Sequence, residues 1–186
     1  ATGKIMPLRT FKGHTPSVHD SAYVDPSAIL IGQVEIAAGV FILPMVVARG
    51  DVNTISIGAH TNIQDGSILH VNSDSQIQPG GSPLVIGENV TVGHQVLLHG
   101  CDIGNNCLIG MSATVMDMVV VEDNVMVAAG SLVTPGKHLK SGYLYAGSPA
   151  KQVRELQQTE FDMIKNSAKQ YSGLKDAHRA AAQTSR

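Results

Sequence analysis

Tryptophan is absent from this 186-residue chain, and aromatic residues make up only 4% of it. The core must therefore be built from aliphatic side chains. Two cysteines, Cys101 and Cys107, are too few for a disulfide framework. Charge is also scarce: 15% of residues are charged, the formal net charge is −2, and no basic cluster occurs. That argues against nucleic acid or an anionic membrane as a partner. No apolar run approaches the roughly 20 residues of a membrane span. The opening ATGKIMPLRTFKG lacks the apolar stretch of a signal peptide, so a cytoplasmic protein is expected. What the chain does have is glycine, 19 residues of it, within a sequence that is 43% apolar and rich in Val and Ile. That mixture points away from a helical bundle and suits one domain with a substantial core.

The aliphatic residues recur every six positions. Val24, Leu30, Ile36, Ile42 and Ala48 begin the series, and Ile57, Ile63 and Leu69 resume it. Ile86, Val92 and Leu98 follow a second gap, and a five-residue step leads to Ile103, Ile109, Val115, Val121, Val127 and Val133. That makes 17 positions in phase with three breaks. Two residues before each aliphatic lies a small or β-branched one, a column in which Cys101 and Cys107 read as inert core. The residue after the aliphatic is often glycine.

A period of six fits neither a helix nor a simple alternating strand. It suits a short strand plus a corner, three of which close a triangular coil. The pattern resembles the hexapeptide-repeat, left-handed parallel β-helix, and the hand comes from that resemblance. About six coils are expected, roughly 30 Å of solenoid at the usual strand spacing. Residues 1–150 read as this β-helix with an N-terminal lead-in and a loop at 71–85, and 151–186 as a linker and an amphipathic helix. The first break, near Arg49 to Asn53, adds three residues. The second, VNSDSQIQPGGSP after His70, is a surface loop. The repeat decays after Val133, and GYLYAGSPAKQV reads as an exit turn. In the tail, Thr159 and Asp162 suggest a capping box. Phe161, Ile164, Ala168, Tyr171 and Leu174 give an apolar stripe for a helix over roughly 158–180.

Used as a ruler, the repeat places the histidines. His70 and His99 each follow their aliphatic by one residue, so they stack on adjacent coils about 5 Å apart at the backbone. Two imidazoles stacked this way can ligate one ion. His94 sits on the preceding face beside a corner, too far round the prism to join them within one chain. It can reach the equivalent ion of a neighbour, which predicts a cyclic trimer with three shared three-histidine sites. The remaining histidines, His14, His19, His60, His138 and His178, read as solvated surface residues.

RGD at 49–51, NIQDGSILH at 62–70, VGHQVLLHG at 92–100, the GSPAK exit and the C-terminal helix together resemble the γ-class carbonic anhydrase family. The resemblance covers nearly the whole chain. It implies a homotrimer with Zn²⁺, or Fe²⁺ or Co²⁺, at the subunit interfaces, and CO2 and bicarbonate as substrate and product. On it, His70, His94 and His99 match the metal ligands, and Asn62 and Gln64 match neighbours of the metal-bound water. Arg49 and Asp51 match an interface ion pair, and Tyr171 falls where a helix residue reaches the active site. Asp65 is expected to support Arg49 or cap a corner. Three neutral imidazoles leave an ion its full charge and bring the pKa of its water to about 7, which supplies hydroxide to attack CO2. Val52 stands where the best-studied form of the family carries a glutamate, and Asn72-Ser73-Asp74 opens a short loop without a long acidic insertion. Slow or undetectable CO2 hydration, with the metal site intact, is the expectation from that departure. The alternatives are a hexapeptide-repeat acyltransferase, and a non-hydrating metal-binding trimer or a (thio)esterase on the same scaffold.

Overall fold

A computed structural model describes residues 7–184; the first six residues of the lead-in lie outside it. The chain is a left-handed parallel β-helix followed by one α-helix. Each aliphatic position lies in a short strand that pairs in register with the same position on the next coil. One face, hereafter the histidine face, stacks Leu8, Leu30, Ala48, Leu69, Leu98, Val115 and Val133. The next stacks Val18, Ile36, Ile57, Ile86, Ile103, Val121 and Leu139. The third, the helix face, stacks Val24, Ile42, Ile63, Val92, Ile109, Val127 and Tyr145. Every six-residue position from Leu30 to Val133 is buried, so the core is one aliphatic column along the axis.

The solenoid is longer than the six coils expected, with seven rungs on each face. Leu8 and Val18 extend it at the start; Leu139 and Tyr145 extend it at the end. Tyr145 hides from an aliphatic count, yet its ring is buried and its hydroxyl accepts a hydrogen bond from the Lys140 N–H at 2.7 Å. The exit is a hairpin. Tyr143–Gly147 pairs antiparallel with Ala150–Glu155, the stretch read from sequence as turn and linker. This pairing covers the edge that the last coil would otherwise expose.

Both insertions leave from the corner that follows the histidine face. The Asn53 side chain donates to the carbonyls of Asn72 and Gly80, so the first insertion clasps the second. At the corner between the other two faces, glycine is required by close approach. A Cβ on Gly58 would lie 2.5 Å from the Gly87 carbonyl carbon, and one on Gly87 would lie 2.8 Å from that of Gly104.

The α-helix spans Gln158–Thr184 and runs back along the helix face toward the first coils. Its cap differs from the Thr159 and Asp162 pair expected. The Glu160 carboxylate accepts from the Gln157 N–H at 2.8 Å and takes a two-pronged ion pair from Arg154 at 2.7 and 2.8 Å. Arg154 lies on the exit hairpin, so tertiary anchoring sets the register of the helix start. Ile164 and Ala168 are buried as the stripe predicted, but Leu174 is 43% exposed and Lys175 only 6%. Lys175 takes the inward place because its ammonium donates to the Ser21 carbonyl at 3.3 Å. One turn on, Arg179 donates to the Asp20 carbonyl at 2.8 Å. Among the described residues, no helix is long and apolar enough to cross a membrane.

Arg154, and then the Gln157 N–H, hold the Glu160 carboxyl at about 2, against 4.5 for a free glutamate. A carboxyl depressed in the folded state stabilises above its unfolded value, so this contribution is lost as the pH falls from 4.5 toward 2. Glu160→Ala is expected to cost about 1 kcal/mol near neutral pH, the usual scale of a lost helix cap. Urea unfolding checks this, and the deficit relative to wild type should shrink as the pH drops through that window.

Candidate metal centre

His70 and His99 face each other across one rung of the histidine face, where they are register partners. Arg49 occupies the same position one coil earlier, opposite His70. His70 Nδ1 lies 3.0 Å from His99 Nε2, and the ring centroids are 5.0 Å apart. The outer nitrogens both meet carboxylates. His70 Nε2 is 3.1 Å from Asp51 Oδ1, and His99 Nδ1 is 2.8 Å from Asp117 Oδ1.

A carboxylate can only accept, so those outer nitrogens carry the protons and the facing nitrogens present lone pairs. Two lone pairs 3.0 Å apart repel each other unless a cation lies between them. Two nitrogens bound tetrahedrally to one ion at the usual zinc distance are about 3.3 Å apart. The donor pair therefore fits a divalent metal with little adjustment.

The electrostatics favour the neutral imidazole that metal binding needs. Burial lowers the pKa of His70; the Asp51 hydrogen bond opposes this, while Arg49 and His99 add to it. Burial alone would raise the Asp51 carboxyl, but hydrogen bonds from Arg49 and His70 outweigh it and hold the group below its ordinary value. Arg49 Nη1 approaches Asp51 Oδ2 at 2.5 Å. Arg49, Asp51 and His70 thus form one hydrogen-bonded chain leading to His99.

His94 stands apart, at the corner where the helix face turns toward the histidine face. Asp65 Oδ2 accepts from its Nδ1 at 2.8 Å, leaving Nε2 as the free ring nitrogen. The sequence suggested that Asp65 supports Arg49 or caps a corner; the register puts it at a corner opposite His94, since Ile63 pairs with Val92, and away from Arg49. Among the described residues of one chain, no three His, Cys, Asp or Glu side chains gather into a metal-holding group. Each candidate ligand is nevertheless oriented by its own carboxylate, Asp51, Asp117 or Asp65. Sequence reasoning missed Asp117. Its signal was available: it lies two residues after the aliphatic Val115, on the coil that stacks beyond His99.

Asn62 and Gln64 are buried beneath the helix in a continuous polar network. Gln64 Nε2 donates to Asn62 Oδ1 at 3.2 Å, Asn62 Nδ2 donates to Thr91 Oγ1 at 3.0 Å, and Thr91 meets Ser167 of the helix at 3.0 Å. Tyr171, one turn further along, lines the same cleft as Gln64, and burial and then Asp65 raise its pKa. Tyr171, Gln64 and His94 border one cleft of about 450 Å³, which continues over Met111, Leu108, Met126 and Leu144. The structure thus brings Asn62, Gln64, Tyr171 and His94 to one edge, and Arg49, Asp51, His70 and His99 to another. Thr91 and Ser167, which complete the network, carried no signal in the sequence because threonine and serine are common in solenoid and helix alike.

The outward rows of the three faces differ. On the histidine face, Ile29, Val47, Ile68 and Leu97 pair in succession, and Ile68 is 48% exposed. On the second face the equivalent row mixes polar and apolar residues: Glu35, Ser56, Val85, Asp102, Val120 and His138. The third is covered by the helix.

Architecture and repeat together define a hexapeptide-repeat protein with a left-handed β-helix. A family model described as bacterial transferase hexapeptide (six repeats) matches residues 100–135. The chain is 50% identical over 171 residues to Protein YrdA of Escherichia coli K12, covering 92% of this chain and 93% of that one. It is 47% identical to gamma carbonic anhydrase 1, mitochondrial, of Arabidopsis thaliana, covering 89% of this chain and 60% of the plant protein. A solved hexapeptide transferase family protein from Anaplasma phagocytophilum is 40% identical, with a TM-score of 0.85 over 91% of this chain and 96% of that one. The chain belongs to the γ-carbonic-anhydrase-like family of hexapeptide-repeat proteins.

Asp117→Asn replaces the acceptor-only carboxylate behind His99 with a neutral amide that can also donate, so it no longer forces the proton onto Nδ1, while side-chain size is unchanged. Metal affinity is expected to fall by about 10- to 100-fold, the usual effect of losing an outer-shell carboxylate. Competition with a chromophoric chelator measures it, and an unchanged affinity would remove Asp117 from the site.

Proposed function

We propose that this protein is a metal-dependent enzyme of the carbonic anhydrase type, hydrating CO2 to bicarbonate as a homotrimer with sites shared between subunits. The observation that carries this reading is the pair of imidazole nitrogens 3.0 Å apart, each ring oriented from behind by a carboxylate. His70 and His99 of one chain and His94 of the next would hold the ion, Zn²⁺ first, with Fe²⁺ or Co²⁺ also compatible with the donors. When bound, such an ion supplies Lewis acidity and, through it, hydroxide at neutral pH.

The rest is the work of the chain. Asp51, Asp65 and Asp117 fix the tautomers and ring angles of the three histidines. Arg49 keeps Asp51 ionised. Gln64, itself held by Asn62, lines the cleft beside His94 and Tyr171 and offers an amide to orient substrate or water. Val52, 44% exposed beside Asp51, provides no carboxylate to carry the released proton away, which supports slow turnover. The trimer is supported by the outward row Ile29, Val47, Ile68 and Leu97, which flanks the paired histidines and which a neighbouring copy would cover.

A second reading rests on the apolar lining of the 450 Å³ cleft, far larger than CO2 requires. Leu108, Met126 and Leu144 would accept an acyl chain, which suits hydrolysis of an ester or thioester. A hexapeptide acyltransferase has less support, because acyl transfer by a histidine base needs no facing pair of carboxylate-held imidazoles.

Elemental analysis and stopped-flow CO2 hydration decide among these. One metal ion per chain, with hydration lost on chelation, is the expected outcome. Metal without hydration, accompanied by turnover of an acyl thioester, would favour the second reading; a metal-free protein would favour the acyltransferase. The shared site has its own test. His94→Ala and His99→Ala should each abolish metal binding alone. Mixed trimers of the two variants should recover about one site in three, since one interface then joins an intact His70–His99 pair to an intact His94. No recovery on mixing would place all three ligands in one chain.

A further inference from the structure

The corner between the second face and the helix face lies opposite the histidine face. There His60, Asn89 and Asn106 project from successive coils, linked by the Asn89 N–H to Ala59 carbonyl bond at 3.0 Å and the Asn106 N–H to Glu88 carbonyl bond at 2.9 Å. The helix passes beside them, bringing Lys165, Lys169 and Ser172 to the same side. Together these six residues border a cavity of about 400 Å³ with no carboxylate in its lining.

Three observations give the cavity a chemical character. First, among the described residues none of these six side chains makes a hydrogen bond or an ion pair within the chain. Second, Lys165 and Lys169 are one helical turn apart, an arrangement of like charges that destabilises a helix unless something neutralises it. The nearest acidic residue on the helix, Asp162, accepts from Gln158 at 3.0 Å, makes no ion pair with either lysine among the described residues, and borders a different cavity. Third, the whole chain carries a net charge of −2, so this concentration of cations runs against its general balance.

We propose that this corner cavity binds a phosphate group, either free or carried by a small metabolite. Two ammonium groups supply the charge. The amides of Asn89 and Asn106, the Ser172 hydroxyl and the His60 ring supply directional donors. The volume leaves room for more than the phosphate itself. Because the cavity is at the far corner of the prism from His70 and His99, its occupant does not compete for the histidine site, and the assignment stands whether or not that site holds a metal.

Isothermal titration of the full chain with inorganic phosphate, and separately with AMP, at constant ionic strength tests this. Saturable binding of one phosphate or one AMP per chain is expected. The Lys165→Gln/Lys169→Gln double variant should weaken it about tenfold or more, through loss of two charge-assisted contacts. Glutamine keeps the helix propensity of lysine, and an unchanged circular dichroism melt confirms that the variant is folded. His99→Ala should leave phosphate binding intact. Tighter binding of AMP would identify a phosphorylated metabolite as the occupant, and tighter binding of phosphate the free anion. No saturable binding of either, binding indifferent to the lysine substitutions, or binding lost in His99→Ala would each overturn the proposal.

Discussion

In-register stacking of coils at the strand spacing is the constraint on which the rest of this molecule depends. Each residue has as its axial neighbour the residue at the same position one coil away. Like therefore meets like. Aliphatics meet aliphatics along the axis, and glycines meet glycines at a corner where no Cβ would fit. The same rule puts histidine on histidine. Nothing in the local sequence around His70 brings it toward His99, 29 residues on; the pairing is a by-product of the repeat.

Much of the fold was legible because the rule is so regular. The three aliphatic ladders, the two projecting loops and the stacked His70 and His99 all followed from counting by six. What escaped was whatever departs from the count. Tyr145 completes a coil with an aromatic ring and a hydrogen-bonded hydroxyl, so the solenoid outlasts its aliphatic signature. Lys175 displaces Leu174 from the apolar stripe because backbone carbonyls of the first coils lie within its reach, a long-range fact that helical periodicity cannot carry. The start of the helix is set by Arg154 on a hairpin that sequence reasoning took for an exit turn. At the site, ligand positions were readable and their supports less so. Asp117 lies two residues past its aliphatic, on a coil where nothing else marks it as functional.

Charge is distributed with economy. Few residues are charged, and carboxylates recur behind the histidines: Asp51, Asp65 and Asp117 each take one ring nitrogen. A carboxylate in that place fixes which nitrogen is free and makes the imidazole a stronger donor. The polar network of Gln64, Asn62, Thr91 and Ser167 achieves a similar rigidity without charge, by joining two coils to the helix through amides and hydroxyls. The two arrangements lie along two different edges of the solenoid.

The helix has a consequence for how the solenoid comes apart. A stack of coils touching only their neighbours can fray from either end, one coil at a time. Here the helix leaves from the last coil through the exit hairpin and is fastened to the first coils by Lys175 and Arg179 on the carbonyls of Ser21 and Asp20. One element thus bridges both termini of the stack, like a strap along a pile of plates. Neither end can peel without also lifting the strap from the other, which turns a linear array into a single cooperative unit.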